Sequence, residues 1–293
     1  MNKPGFHVTA EKHGVQFDPV VYRVSSQDLR CLNYSDEQLT EHFRAVGYKE
    51  PRRYGYTTTK AEYFSNCYFR GLGIEIGAGA NPVPMMGNAT CEYGDIAEDA
   101  LFDSNEFKAN KILINLNEKV KSNSILRNKY DFVIAQHVLE HCDGFIQAMC
   151  TLTELCKQNG FVYISLPIKE SDADAVWMDE YGFAHHFVEY FIPNAFRNFH
   201  RRKYLDTVQR IFNKEGEAAF QGSAVVPNSL YSEMLKGNLP KEYDYIYHRH
   251  SYSMQGWLRL FLNIKKIFRL KVDLIDCGYG MDRNDAHFLF KKK

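Results

Sequence analysis

The middle of the chain alternates short apolar segments with helix-like segments, and this alternation constrains the fold more than any other feature. The strand-like segments cover residues 72–77, 90–95, 111–116, 130–136 and 161–167. After the fourth, Asp143 is placed to cap a helix with one apolar stripe, which Asn159-Gly160 ends. The fifth segment is apolar on both faces, as expected for an interior strand of a parallel sheet. The pattern predicts a βαβ series that builds an open α/β sheet.

The end of the chain predicts an antiparallel addition to this sheet. Residues 271–276 and 286–290 are strand-like, and the stretch between them is rich in turn residues. Two strands joined by a short turn form a hairpin, so the last strand runs against its neighbours. The predicted core therefore comprises residues 69–169 and 251–293.

Two flanking regions lack the alternation of the core. Residues 1–68 contain one predicted helix, opened by a capping-box pattern over Ser35 to Gln38, and we interpret this region as an N-terminal lid. Residues 170–250 are rich in Tyr, Phe, His, Asn and Gly without sustained periodicity. We interpret them as a cap inserted into the core, over the acceptor site.

Composition narrows the class of protein and its partners. The 36 basic and 36 acidic residues give zero formal charge, which disfavours nucleic acid and anionic membranes as partners. The 7 cysteines form no CxxC pair, and no cationic region followed by an apolar stretch opens the chain, so we expect a reduced, cytoplasmic protein without a signal peptide. The apolar stretches are far shorter than the roughly 20 residues of a membrane helix, so no membrane span is expected.

A glycine-containing turn at the end of the first core strand carries the strongest functional signal. The run Ile74-Glu-Ile-Gly-Ala-Gly-Ala-Asn-Pro82 lets the backbone turn sharply and approach a ligand. Asp95 follows Gly77 by eighteen residues, at the end of the next strand, where a carboxylate can accept hydrogen bonds from both hydroxyls of a ribose. The alternative is that the glycines only form a tight turn and Asp95 only caps a helix.

The same turn discriminates between two cofactor classes. A dinucleotide site has a third glycine that seats the pyrophosphate at a helix N-terminus, and Pro82 stands at that position here. Glu75 places a carboxylate where a positively charged group can be held. A ligand with a ribose and an amino acid tail, without a pyrophosphate, fits this pattern better.

Four motifs in order now resemble a known family. The glycine run, Asp95, the segment Tyr130-Asp-Phe-Val-Ile-Ala-Gln-His-Val-Leu-Glu-His141 and the segment Asn159-Gly-Phe-Val-Tyr-Ile-Ser-Leu-Pro167 resemble class I S-adenosylmethionine-dependent methyltransferases. The resemblance covers about residues 70–170 and resumes at the terminal hairpin. It implies a Rossmann-like, seven-stranded, mostly parallel sheet whose last strand is antiparallel, and S-adenosylmethionine as the cofactor.

The resemblance also implies roles for individual residues. Glu75, Gly77, Ala78 and Gly79 would line the methionine moiety. Asp95 would bind the ribose, Ile96 would pack on the adenine, and the backbone of Gln136 would lie near the methionyl amino group. The chain departs from the family pattern at the third strand, because the register of the adenine contact within Asn115-Leu-Asn-Glu118 is not fixed by the sequence.

Histidines provide the candidate catalytic groups. His137 and His141 flank the segment after the fourth strand, at the carboxyl edge of the sheet, and a histidine can remove a proton from an acceptor hydroxyl near neutral pH. We prefer His141. The alternative is that both histidines only hold this loop by hydrogen bonds. At a spacing of four residues, only one of the two need face the substrate.

Two further histidine groups lie in the predicted cap. His185-His186 with Glu189, and His248-x-His250, have ligand-type side chains, but no fixed spacing of three ligands recurs, so the sequence assigns no metal site. We interpret these groups as the wall of an acceptor pocket.

The sequence therefore predicts a methyltransferase that acts on a small molecule or a saccharide. O-methylation in cell-surface sugar biosynthesis is the first hypothesis, because similar sequences with His-Val-Leu-Glu-His after the fourth strand often belong to such pathways. Two alternatives are an NAD-dependent oxidoreductase and a non-catalytic, nucleoside-binding partner subunit with the same fold.

Overall fold

The computed structural model describes most of the predicted core and parts of both flanks. The described residues are 17–24, 27–47, 58–59, 61–79, 82–85, 89–96, 112–121, 124–169, 180–215, 228–240, 247–280 and 285–293. The strands are β1 (Thr58–Thr59), β2 (Leu72–Ile76), β3 (Thr90–Asp95), β4 (Ile112–Leu113), β5 (Tyr130–Gln136), β6 (Cys156–Pro167), β7 (Val272–Gly280) and β8 (Asp285–Lys292). The helices are α1 (Pro19–Val24), α2 (Gln27–Cys31), α3 (Asp36–Ala45), α4 (Ala61–Tyr68), α5 (Phe145–Leu155), α6 (Phe183–Phe191), α7 (Arg197–Glu215), α8 (Asn228–Leu235) and α9 (Met254–Ile267).

The eight strands of the described residues form one sheet, in which a single strand is antiparallel to its neighbours. The strand order is β1-β7-β8-β6-β5-β2-β3-β4. Strand β8 is antiparallel to both β6 and β7, and the other pairings are parallel. The predicted fold class, a Rossmann-like and mostly parallel sheet with an antiparallel last strand, is confirmed. The two-residue strand β1 is an addition that the sequence did not indicate.

The strand order reverses next to β2. The chain proceeds from β2 outward to β3 and β4, then returns to the other side of β2 as β5 and continues to β6. Open α/β sheets bind their ligands outside the carboxyl ends of the strands at such a switch point. The topology therefore predicts a ligand-binding site at the carboxyl ends of β2, β3 and β5.

Helices cover both faces of the sheet. On one face, α5 and α9 pack in the main apolar core, where the rings of Phe145 and Trp257 stack with centroids 5.3 Å apart. On the other face, Phe64 of α4 and the following Phe69 pack against Phe132 and other sheet side chains. The central strands are therefore buried on both faces, which explains their nearly continuous apolar sequences.

Helix α5 differs from its prediction at both ends. It begins after Gly144, and Asp143 does not cap it, because that carboxylate binds Arg197 and Arg249. It ends at Leu155 rather than at Asn159-Gly160, since Cys156 already starts β6 by pairing with β5. Tertiary pairing thus replaces the last helical turn that the apolar stripe predicted.

Strands β4 and β7 also differ from their predicted boundaries. Strand β4 is limited to Ile112–Leu113, at the edge of the sheet next to β3. Strand β7 extends to Gly280, into the predicted turn, because its last residues pair with both β8 and β1.

The N-terminal flank contains a small apolar cluster of its own. Tyr22, Leu29, Leu39 and Phe43 are buried together in α1 to α3. The predicted capping box at Ser35 is confirmed, with the Gln38 side chain bound to the Ser35 N–H at 2.8 Å. Helix α4 lies in the predicted lid range yet packs on the sheet, and the role of residues 1–68 as a lid stays a prediction.

The region predicted as a cap supplies α6, α7 and α8. Residues of α7 and α8 share a separate apolar cluster with Leu239 and Tyr247. Its function as an acceptor-binding cap stays a prediction. Among the described helices, none is both long enough and apolar enough to cross a membrane.

Candidate active site

The sheet register brings three predicted site residues to one edge. Ile76, the last residue of β2, pairs with Gly94 on β3 and with Ala135 on β5. The residues that follow these three are Gly77, Asp95 and Gln136. The glycine turn, the acidic residue and the end of the fourth motif therefore meet at the carboxyl edge of adjacent strands, at the switch point.

The turn after β2 requires glycine. Gly77 has φ +66° and Gly79 has φ +54°, in the left-handed region that side chains disfavour. A Cβ atom added to Gly77 would lie 2.7 Å from Cγ2 of Val138. The Gly77 N–H donates to the carbonyl oxygen of Gly94 at 2.8 Å, which fixes the turn on β3. Ala78 is partly buried between the two glycines, and Ala80 and Asn81 lie outside the described residues.

Glu75, on β2 just before this turn, is fully buried and binds the loop that follows the turn. Its Oε2 accepts a hydrogen bond from the Val83 N–H at 2.9 Å, and its Oε1 accepts one from Nε2 of Gln136 at 3.2 Å. Burial raises the pKa of Glu75 to about 7, although both hydrogen bonds oppose the rise. Glu75 thus links the turn after β2 to the end of β5, and its predicted contact with a bound ligand stays a prediction.

Asp95 ends β3 at the same edge, and Ile96 follows it. Oδ1 of Asp95 accepts a hydrogen bond from the Ile96 N–H at 2.6 Å, and the Ile96 side chain is 48% exposed. A carboxylate beside an accessible apolar surface can recognise a ribose joined to a flat ring. Beyond β4, Nδ2 of Asn115 donates to Glu118 at 2.8 Å and Oδ1 of Asn117 accepts from the Gly144 N–H at 3.1 Å. These side chains join the third-strand loop to the start of α5.

His137 is held as a cation. It adopts φ +51°, and its Nε2 lies 3.1 Å from Asp285 and its Nδ1 3.5 Å from Glu140. Desolvation lowers the pKa of His137, but the two carboxylates outweigh it and raise the pKa to about 10. A protonated imidazole donates hydrogen bonds and does not accept a proton, so this arrangement favours positioning over general-base catalysis. Sequence analysis did not identify Asp285, because β8 brings it to this edge from the far end of the chain.

His141 is held as a neutral imidazole. Its Nδ1 lies 3.0 Å from the carbonyl oxygen of Tyr247, so Nδ1 carries the proton and Nε2 carries the lone pair. Desolvation lowers the pKa of His141 to about 4, with His248 and Arg249 acting in the same direction against Glu140. The imidazole is therefore uncharged near pH 7, with Nε2 available to accept a proton.

Glu140 lies among these histidines. Its carboxylate is fully buried, with His141 Nε2 at 3.8 Å and His248 Nε2 at 4.0 Å. Within the described part of the chain, neither carboxylate oxygen receives a well-formed hydrogen bond. Burial raises the pKa of Glu140, but the imidazoles, led by His137, outweigh that effect and keep it below its usual value. The result is a negative charge enclosed by three imidazoles at the sheet edge.

A buried ion pair fixes this group to the cap. Nε of Arg249 lies 2.9 Å from Asp143, and the Arg249 guanidinium also donates to the carbonyl oxygen of His141. The Arg249 N–H donates to the carbonyl oxygen of Glu140 at 2.7 Å. The segment around Arg249 therefore positions His141 through both its side chain and its backbone.

The structure joins histidine groups that the sequence treated separately. His185, Glu189 and His250 meet in the cap region, and His200 of α7 joins them. Sequence reasoning missed His200, because nothing in the spacing along the chain relates it to the other three. A second group of ligand-type side chains consists of Glu140, His141 and His248.

Comparisons with known proteins support the fold only. No family model matches the chain, and no curated protein is a significant relative. A Rhodobacter sphaeroides protein assigned to the zinc-dependent alcohol dehydrogenases is 14% identical, with 81% of this chain and 91% of that chain covered and a TM-score of 0.50. This likeness shows a shared fold and nothing finer.

Several other similar structures are S-adenosylmethionine-dependent methyltransferases. The trans-methyltransferase CalH, solved with S-adenosylhomocysteine, is 14% identical, with 80% of this chain and 54% of that chain covered and a TM-score of 0.35. A Methanococcus maripaludis protein assigned to the same enzymes is 10% identical, with 80% and 83% covered and a TM-score of 0.40.

Proposed function

We propose that this protein is an S-adenosylmethionine-dependent methyltransferase. The proposal depends chiefly on the convergence of the Gly77 turn, Asp95 and Gln136 at the switch point of a sheet whose last strand is reversed. The order of the four sequence motifs supports the same assignment independently.

Two observations weigh against an NAD-dependent oxidoreductase. The dinucleotide-binding fold has six strands in the order 3-2-1-4-5-6, whereas this sheet inserts the antiparallel β8 between β6 and β7. Pro82 occupies the position of the third glycine, which in dinucleotide sites brings the helix and its N-terminus to the pyrophosphate.

The residues at the sheet edge fit the cofactor. Gly77 and Gly79 form the left-handed turn, the Asp95 carboxylate suits a ribose, and the exposed part of Ile96 suits an adenine ring. Gln136 and Glu75 would lie near the methionine end. When bound, the cofactor would supply a methyl group on a sulfonium. The acceptor atom would bond to the methyl carbon in line as the carbon–sulfur bond breaks, and a neutral thioether would leave.

The histidine group after β5 would act on the acceptor. The neutral His141 accepts a proton from an acceptor hydroxyl at Nε2, while its Nδ1 proton stays on the carbonyl oxygen of Tyr247. The protonated His137 orients polar groups, and Glu140 balances its charge. We propose a small-molecule or saccharide hydroxyl as the acceptor, in cell-surface sugar biosynthesis. The sequence resemblance and the uncharged, proton-accepting His141 support this proposal.

Calorimetric titration with S-adenosylmethionine, S-adenosylhomocysteine and NADH tests the cofactor. We expect micromolar binding of the two sulfur nucleosides, loss of binding in Asp95→Ala, and no binding of NADH. Asp276→Ala is the matched control, because Oδ1 of Asp276 also accepts from the next N–H, at 2.8 Å, on a different strand. Binding of NADH alone would support the oxidoreductase, and absence of all binding would refute the proposal.

Methyl transfer itself needs a separate assay. Methyl-labelled S-adenosylmethionine is incubated with mixtures of sugars, sugar nucleotides and small alcohols, and labelled products are separated. We expect a labelled saccharide with the wild type and at least a tenfold lower rate with His141→Gln. Tight cofactor binding without a product from any acceptor would favour the non-catalytic partner subunit.

A further inference from the structure

The carboxylate of Glu189 is enclosed by imidazoles from three separate segments. On α6, Nε2 of His185 lies 3.1 Å from Oε1 of Glu189. On α7, Nε2 of His200 lies 3.0 Å from the same oxygen, and before α9 Nε2 of His250 lies 3.1 Å from Oε2. We refer to His185, Glu189, His200 and His250 as the Glu189 cluster.

The four donor atoms of the cluster converge on one another. The Nε2 atoms of His185 and His200 are 3.1 Å apart, and all four atoms lie within 4.8 Å. Zinc bonds of about 2.0–2.1 Å place the ligands of a tetrahedral site about 3.3 Å from each other. The short distances in the cluster are therefore close to those that a single bound zinc ion requires.

Burial gives the cluster a closed character. The side chains of Glu189, His200 and His250 are at most 1% exposed, and that of His185 is 12% exposed. A buried carboxylate is costly unless it is paired with a cation or coordinates a metal. Four protein ligands with little solvent access are typical of structural zinc sites, whereas catalytic sites keep a position for water or substrate.

The group of Glu140, His141 and His248 is less suited to the same role. Its nitrogen-to-oxygen distances are 3.8 and 4.0 Å, and its histidines are 22% and 15% exposed. It belongs to the candidate active site described above.

We propose that the Glu189 cluster binds one structural zinc ion. The donor set consists of three imidazoles and one carboxylate. Zinc binds both kinds of ligand and prefers four of them in a tetrahedral arrangement. The ion joins α6, α7 and the segment before α9. Nothing in this proposal depends on the methyltransferase assignment.

The zinc ion also stabilises the candidate active site through the backbone of residues 247–250. The His250 N–H and the Arg249 N–H both donate to the carbonyl oxygen of Glu140, at 3.3 and 2.7 Å. The same segment supplies the Tyr247 carbonyl that fixes His141. An ion that holds His250 in place therefore holds the backbone that orients His141.

Metal analysis of the full chain, with any histidine tag removed, tests the proposal. Protein from zinc-supplemented cells is expected to contain about one zinc per chain by mass spectrometry of the elements. Chelation lowers the melting temperature by about 5 °C or more, and added Zn²⁺ restores it. Replacement by Co²⁺ gives the visible absorption of a tetrahedral site with nitrogen and oxygen ligands.

Variants locate the ion. Glu189→Gln and His200→Asn lose the zinc, while His186→Gln retains it. His186 is the matched control, because it is buried and its Nδ1 lies 3.4 Å from Glu189, yet its Nε2 is engaged by the Tyr252 hydroxyl. Circular dichroism verifies that each variant is folded. If a variant is unfolded, the cobalt spectrum of the wild type still tests whether the site is tetrahedral with nitrogen and oxygen ligands.

Two outcomes would overturn the proposal. The first is a wild-type protein that is isolated without zinc and neither takes up Zn²⁺ nor gains thermal stability from it, which would make the cluster a hydrogen-bonded network around Glu189. The second is zinc that is retained in Glu189→Gln but lost in a folded His248→Gln variant, which would place the metal in the candidate active site.

Discussion

Replacing Gly77 by alanine tests the geometry of the turn at the centre of the proposed site. A left-handed backbone costs a residue with a side chain about 1–2 kcal/mol. The new Cβ would also lie 2.7 Å from Cγ2 of Val138, and overpacking of this kind costs about 1–3 kcal/mol. We expect Gly77→Ala to lower the free energy of unfolding by about 2–5 kcal/mol. Urea denaturation followed by circular dichroism measures the change.

Gly237 provides a matched control for the backbone contribution. It has φ +78°, and an added Cβ would meet nothing within 4 Å. Gly237→Ala is therefore expected to cost only the backbone part, about 1–2 kcal/mol, with unchanged cofactor binding. In Gly77→Ala we expect the affinity for S-adenosylhomocysteine to fall at least tenfold, because the turn that approaches the ligand must shift.

A second variant separates the steric contribution from the backbone contribution. Adding Val138→Ala to Gly77→Ala removes the close contact, so the combined loss is expected to be smaller than the sum of the two single losses. Equal stability losses in Gly77→Ala and Gly237→Ala, together with additive effects of Gly77→Ala and Val138→Ala, would refute the reasoning.

Three further predictions concern the ionisable groups of the site. The pKa of Glu75 in the folded protein is about 7, above its ordinary value of 4.5, so the folded state binds more protons than the unfolded state between these two pH values. Stability therefore falls by about 3 kcal/mol as the pH rises through them. Glu75→Gln should remove this fall, and parallel urea titrations of both proteins at pH 4.5–8 measure the difference. The pKa of His137 is about 10, so its ion pairing stabilises the folded state fully below pH 6.5, and this stabilisation is lost as the pH rises toward 10. The imidazole proton resonance of His137, assigned with His137→Gln, should keep its protonated chemical shift at pH 8. Titration of this resonance near pH 6.5 would contradict the pairing with Asp285. Both Arg249 and Arg197 bind Asp143, but their side chains are 3% and 43% exposed. Arg249→Gln should therefore destabilise the protein by about 3–5 kcal/mol, and Arg197→Gln by less than about 1 kcal/mol. Similar losses of stability for the two variants in thermal denaturation would show that burial does not decide the effect.

Local patterns along the chain determined the framework of the fold. The β5 strand was predicted with the bounds it has, because its apolar run ends at the polar Gln136. The glycine turn and Asp95 were also recognisable, since a left-handed turn demands glycine and the carboxyl ends of neighbouring parallel strands must meet at one edge.

Only the tertiary structure decided what lies around these residues. The charge states of His137 and His141 depend on Asp285 and on the Tyr247 carbonyl, which are distant in sequence and reach the site through β8 and the cap. The end of α5 was decided by the pairing of Cys156 with β5, which competes with the helical apolar stripe. The Glu189 cluster gathers side chains from two helices and a loop. Sequence periodicity records local burial, whereas the electrostatic environment of a buried group depends on contacts between segments, and those contacts exist only after the chain has folded.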